Sequence, residues 1–346
     1  MRVCACFRET EDLKTRRDWR VFVVPGRAVR PLPGTTEEDD MHGRYVKCAL
    51  VLALAVALLA AGGCGKKADE PVAPTASFPV TVTDDAGRSV TIDAKPERIV
   101  SLAPANTEIL HGLGVLDRVV GVTTYDDFPP EVSSIAKVGD FVTPNLEAIV
   151  AANPDLVLVT TGIQADVIAN LEKTGAKVVA IDPQSLEALY TSIGTVGAVT
   201  GESAAAAAIV QDMKDELELI QDAIDAAPVR CFIEIAQEPL FTAGAGTLIN
   251  DLIEQAGGEN VVVEEGYVAY SLEQLLTDDP EVYLATKGSM SDPAQIDARA
   301  GYGELAAVKT GRVYVLDDNL VSRPGPRIIQ GIRQIAEALH PEAFGQ

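Results

Sequence analysis

ESAAAAAIVQDMKDELELIQDAIDA, residues 202–226, holds neither glycine nor proline, and Ile209, Met213, Leu217, Ile220 and Ile224 recur along it at helical spacing. They form one apolar stripe on a 3.6-residue period, with charged and amide side chains on the remaining surface. At 1.5 Å per residue the predicted helix is about 37 Å long, close to the width of a whole domain. The rhythm on either side of it is different. Upstream, PVTVTDDAGRSVTI (79–92) alternates around Asp85-Ala86-Gly87 and predicts a β-hairpin. Short apolar strands at 99–102, 119–122, 156–160 and 178–181 then alternate with helices at 106–113, 146–152 and 164–174. Downstream, strands at 229–235, 282–285 and 312–316 alternate with helices at 248–255, 272–277 and 325–339. Alternation of this kind predicts α/β lobes with mostly parallel sheets. The layout is a lobe over 79–200, a connecting helix over 201–227 and a second lobe over 228–346.

One phrase occurs in both lobes. NLEAIVAANPDLVL (145–158) and SLEQLLTDDPEVYL (271–284) align without a gap, pairing Leu146 with Leu272, Glu147 with Glu273, Asn153 with Asp279 and Pro154 with Pro280. Each copy reads as a capped helix, a stop and an apolar strand, with Thr143 before Pro144 or Ser271 as the cap. Every βα unit needs those parts, which accounts for the leucines and prolines. An acid near a helix start gains only about 0.3–1 kcal/mol from the macrodipole, so spacing alone leaves open whether Glu147 and Glu273 do more than cap.

The 346 residues carry a formal charge of −23, which argues against nucleic acid as a partner, since that needs a cationic face. Residues 41–64, MHGRYVKCALVLALAVALLAAGGC, set Arg44 and Lys47 before an apolar run that ends at Ala61-Gly62-Gly63-Cys64. The run is shorter than the roughly 20 residues of a membrane span. The segment reads as a signal peptide and resembles the lipobox of bacterial lipoproteins, which implies lipid on Cys64. An uncleaved membrane anchor is the alternative. Residues 1–40 read as an upstream extension from a misassigned start and 65–78 as a flexible tether. Beyond Cys64 the remaining cysteine is Cys231, so no disulfide framework is expected.

Five stretches in order resemble the substrate-binding proteins of bacterial ABC importers for cobalamin and ferric siderophores: RIVSLAPANTEIL (98–110), GVTTYDDFPPEV (121–132), VGDFVTPNLEAIVAANPDLVL (138–158), FTAGAGTLINDLIEQAGGENVV (241–262) and SRPGPRII (322–329). The resemblance spans roughly residues 79–341. It implies two Rossmann-like lobes joined by one long backbone helix, with the ligand in the cleft between them; a continuous helix resists bending more than loop crossovers would, so little hinge motion is expected. It implies that Glu147 and Glu273, one from each lobe, dock on a dimeric permease served by a cytoplasmic ATPase, the carrier itself being a monomer. It also implies a metal-chelate ligand held by Tyr125, Phe141, Phe241 and Tyr267, which sit in loops beside Gly, Asp and Pro. Phe141, Tyr267 and Thr160 stand where the cobalamin pattern carries tryptophan. Arg323 is the main cation available to an anionic ligand, with Arg299 second, and Asp317 or Asp318 are the partners its neighbourhood offers.

Cobalamin is the expected ligand, ferric siderophore and haem the alternatives. Direct haem ligation needs His or Tyr, and the mature histidines, His111 and His340, fall on helices. A two-lobed enzyme of chelatase type is the reading from another class. The sequence carries no G-x-S-x-G, P-loop, CxxC or H-E-x-x-H, and GAGTL (244–248) lacks the further glycine and acid of a dinucleotide fingerprint. A binding protein without catalytic residues, metal or resident cofactor is therefore expected.

Overall fold

The computed structural model describes residues 77–173, 175–287, 290–291 and 293–345. The extension, the signal segment with Cys64 and nearly all of the tether lie outside the described residues.

The hairpin forms as β1 (Val80–Thr83) against β2 (Ser89–Ile92), its turn closed by the Asp84 carboxylate, which accepts from the amides of Ala86 and Arg88. The first lobe continues through β3 (Ile99–Ser101), α1 (Pro104–Gly112), β4 (Val119–Gly121), α2 (Leu146–Ala151), β5 (Leu156–Val159), α3 (Ala165–Glu172) and β6 (Lys177–Ala180). Two helices follow, α4 (Leu186–Thr200) and α5 (Ser203–Ala223). The second lobe comprises β7 (Val229–Glu234), β8 (Phe241–Ala243), α6 (Leu248–Gln255), β9 (Gly258–Asn260), β10 (Tyr267–Ala269), α7 (Leu272–Asp278), β11 (Val282–Lys287), α8 (Ala306–Lys309), β12 (Val313–Asp317), α9 (Asp318–Val321) and α10 (Ile328–Leu339).

The two main sheets run β4-β3-β5-β6 and β9-β7-β11-β12, every pairing parallel. Counted along the chain within each of these sheets, both orders are second, first, third, fourth. Parallel sheets are covered on both faces, and the strands follow that rule. Ile99, Leu156, Leu158 and Val179 point to one side, Val100, Val157, Val159 and Val178 to the other. In the second lobe Cys231, Ile233, Val282 and Leu284 alternate with Phe232, Tyr283 and Ala285.

The inward faces of both sheets belong to one hydrophobic cluster, and α5 runs through it with Met213 and Ile220 buried and Ile209, Leu217 and Ile224 packed at its margin. The connecting helix is thus a packed element of a core common to both lobes. It spans 21 residues, shorter than the predicted 202–226, because Ile224 turns to extended backbone to enter β7. Its start is tied to the first lobe, where Arg118 and Lys95 donate to Glu202 at 2.7 and 2.9 Å. Among the described residues no helix is long and apolar enough to cross a membrane.

Helix α4 was not expected. The Ser185 side chain caps its start by accepting from the amide of Ala188, and Gly201, at φ +80, ends it. A Cβ on Gly197 would lie 2.4 Å from that of Ala206, so glycine is what lets α4 lie against α5.

Candidate functional site

The segments that follow the carboxyl ends of the sheet strands carry the expected ligand residues. In the first lobe the side chain of Gln164, fully buried, joins three of them: its amide donates to the carbonyls of Leu102 and Phe141, both at 2.8 Å, and its oxygen accepts from the amide of Thr160 at 3.0 Å. Phe141 is thereby positioned from its own backbone, beside an Asp140 turn that accepts from the amides of Val142 and Thr143. Tyr125 stands 59% exposed on a turn closed by Asp126, whose carboxylate accepts from the amide and hydroxyl of Thr123.

In the second lobe β8 and β10 form a two-stranded antiparallel ribbon that pairs Phe241 with Ala269 and Ala243 with Tyr267. That register puts Phe241 and Tyr267 on one face as diagonal neighbours, opposite the face on which Val268 packs into the core. Tyr267 is 48% exposed. Partial burial raises its phenol above the usual range, and the charge of Asp182, a residue of the first lobe, adds to the rise. Tyr125 and Phe141 thus occupy loops as expected, whereas Phe241 and Tyr267 stand on the short strands β8 and β10 that follow the carboxyl ends of β7 and β9.

Arg323 bridges the lobes. Its guanidinium meets Asp127 at 2.5 and 3.3 Å and Glu108 at 3.5 Å, so neither Asp317 nor Asp318 is its partner. Arg327 makes a two-pronged bond to Glu108 at 2.9 and 2.6 Å and lies 3.8 Å from the centre of the Phe128 ring, which in turn meets His111 edge-on. Glu108, at the middle of α1, is 2% exposed, and Gly325 allows the loop to approach it: a Cβ there would sit 3.1 Å from its carboxylate. Asp127 is held below its usual range, first by the hydrogen bond from Arg323. Two arginines of one lobe thus clasp two carboxylates of the other. Glu108, Asp127 and Arg327 were missed as a set because their partners lie some two hundred residues away. The signal available was their place inside the quoted 98–110, 121–132 and 322–329 stretches.

Arg299 is also engaged. With Ser291 and Tyr283 it binds the fully buried Glu234 at the end of β7, and it donates to Gln237 at 3.0 Å.

Glu147 and Glu273 are exposed, and each occupies the second position of its helix, α2 or α7. The cap of α2 is Asn145, not Thr143, which instead bonds Asp140; that of α7 is Ser271, in a complete capping box with Gln274. Neither acid makes an ion pair with the described residues. Glu273 borders an open groove of about 330 Å³ whose wall also carries Glu264 and Asp278, so its surroundings are acidic. Cys64 lies outside the described residues.

The profile of a family described as "Periplasmic binding protein" matches residues 99–320. The chain is 36% identical over 306 residues to the uncharacterized ABC transporter substrate-binding lipoprotein YvrC of Bacillus subtilis, covering 84% of this chain and 96% of that one. It is 31% identical over 322 residues to the cobalamin-binding protein of Halobacterium salinarum, covering 87% and 86%. A periplasmic heme-binding protein from Pseudomonas aeruginosa superposes with a TM-score of 0.65 at 27% identity, covering 71% of this chain and 93% of that one. With its two parallel-sheet lobes, its packed connecting helix and these relatives, the chain belongs to the periplasmic binding protein family, among the substrate-binding proteins of ABC transporters for cobalamin, haem and siderophores.

Proposed function

We propose that the protein is a lipid-anchored, extracytoplasmic carrier that captures cobalamin or a related corrinoid between its lobes and delivers it to an ABC permease dimer with its cytoplasmic ATPase. The observation that carries this reading is the disposition of the aromatics. Tyr125, on a loop of the first lobe, and Tyr267, on β10 of the second, are each about half-exposed, with Phe241 beside Tyr267 on its ribbon and Phe141 on a neighbouring loop of the first lobe. Flat aromatic faces grip a large planar macrocycle with little demand for charge. The name of the Halobacterium relative supports the same cargo.

Arg323, paired with Asp127, offers that macrocycle a net-neutral edge. Lipid on Cys64 anchors the monomeric carrier, and residues 65–78 tether it. Glu147 and Glu273 dock it, since exposed charges of this kind steer and orient an encounter while contributing only about 0–1 kcal/mol each to holding it. No step of capture and delivery calls for a catalytic residue.

The test is a titration of purified protein with cyanocobalamin, a ferric hydroxamate and haemin. Retention of the red corrinoid chromophore after desalting, without conversion of the ligand, is the expected result. Haem is the second reading, favoured by the Pseudomonas relative. Tyr125 and Tyr267 would be its iron ligands, because His340 bonds the carbonyl of Gly257 and His111 packs on Phe128. Exclusive binding of haemin decides for it.

A further inference from the structure

We propose that Asp127 is a built-in counter-anion for Arg323, which closes the cleft to anionic cargo and restricts the substrate class to metal chelates without net negative charge. The proposal rests on the carrier reading above and adds to it the charge rule of the site.

The clasp is balanced. Glu108 is spent on Arg327, both prongs of it, and lies only at 3.5 Å from Arg323. That leaves the fork of Arg323 to Asp127, which fills it with both oxygens. A bidentate carboxylate is the geometry with which arginine would otherwise take a catecholate, carboxylate or propionate of a ligand. Two further cations near these loops are also committed. Arg299 serves Glu234, and Lys137 donates to the carbonyls of Asp126 and Val132.

Glu108 and Asp127 differ in a way that separates their roles. Glu108 is buried and a guanidinium packed against it requires its charge. Asp127 is 56% exposed and two residues from Tyr125. An ion pair that open contributes little to stability, so fold maintenance does not account for it. Its effect on an arriving anion is greater: the anion must displace Asp127 from the fork and then lie beside the displaced charge. A neutral macrocycle meets neither obstacle. Selectivity by an unfavourable charge against the wrong partner is a general device of specific sites.

The experiment is isothermal titration of the wild type, Asp127→Asn, Asp127→Glu and the double variant Asp127→Asn/Arg323→Gln with a tris-catecholate iron(III) trianion, at low and high salt. Asp127→Asn is expected to bind the trianion about tenfold more tightly than the wild type. Added salt reduces the gain, Asp127→Glu restores exclusion, and Arg323→Gln removes the gain. Equal affinity in the wild type and Asp127→Asn, including no binding by either, overturns the proposal. So does a gain that survives Arg323→Gln. Thermal melts of all four proteins establish that each is folded. Cyanocobalamin retention by the wild type, run in parallel, reports on the carrier reading alone. Its failure removes that cargo while the trianion series still decides the role of Asp127.

Discussion

Replacing Glu108 by alanine removes the centre of the inter-lobe clasp. The carboxylate is 2% exposed and accepts from Arg327 at 2.9 and 2.6 Å and from Arg323 at 3.5 Å. Without it the Arg327 guanidinium loses its carboxylate partner against α1, while Arg323 keeps Asp127. Removing one partner of a buried pair costs about 3–5 kcal/mol. The Arg327 side chain is 22% exposed, so water recovers part of that loss and the lower end, about 3 kcal/mol, applies. For a folded unit of this size each kcal/mol moves the melting midpoint by about 2–4 °C, giving a fall of about 6–12 °C. The assay is calorimetry at neutral pH and low salt on a double-mutant cycle of Glu108→Ala and Arg327→Ala, with scattering to follow lobe separation. A coupling energy of about 1–3 kcal/mol is expected. A midpoint lowered by less than about 2 °C, or strictly additive single effects, would refute the clasp as a stabilising contact between the lobes.

Ile220→Ala on α5, whose side chain is fully buried in the core common to both lobes, should cost about 2–5 kcal/mol and unfold the lobes in one transition; two separate transitions in calorimetry would show that they fold independently. The double reversal Glu147→Arg/Glu273→Arg should abolish uptake by cells while changing stability by no more than about 1–2 kcal/mol, because both side chains are exposed; normal uptake ends the docking proposal. Acid should weaken the fold. Glu234 carries most of the effect, its burial outweighed by the bonds from Arg299, Ser291 and Tyr283 that lower it; Asp127, lowered by Arg323 but half-exposed, adds little. Their contributions are complete above the ordinary carboxylate value of about 4 and are lost as pH falls through the lowered folded values. Melting midpoints measured downward from about pH 5 should therefore fall, and Asp127→Asn/Glu234→Gln should flatten the dependence; an equal slope in that variant contradicts the assignment.

The parts of this fold that were legible in sequence are those with one wet face. Helix α5 shows its period because Gln211, Asp215 and Glu218 alternate with its buried stripe. Helix α4 has the spacing but a weakly marked wet face: Leu186, Leu189, Tyr190, Ile193 and Val196 recur on one buried side, yet Glu187 is the one charged residue of the helix, and Gly194, Gly197 and a series of β-branched residues lower its helical propensity. The ribbon of β8 and β10 is three residues deep, too short for alternation to register. The loops of Tyr125 and Phe141 could be named from their setting. The partners of Arg323 could not, because pairing between Asp127 and a residue of the other lobe depends on how the lobes pack, and nearer acids at 317 and 318 compete in any local reading.

The recurrence of one phrase in both lobes can now be divided by cause. Ile149 and Leu275 are fully buried at equivalent positions. Asn153 and Asp279, at φ 46 and 41, are the described non-glycine residues in the left-handed region, where a short polar side chain is tolerated better than others. Arg98 donates to the carbonyls of Ala152 and Asn153 at the end of α2, and Arg230 does the same for Asp278 at the end of α7. Asp155 and Glu281 both donate their amides to the carbonyl of that arginine. Each of these pairs answers to packing, backbone geometry or a helix terminus. Glu147 and Glu273 answer to none of them beyond the macrodipole, which any first-turn acid satisfies and which is worth about 0.3–1 kcal/mol. A repeated strand order delivers both acids to the same place on two equivalent helices, and a partner with twofold symmetry is what would make use of that equivalence.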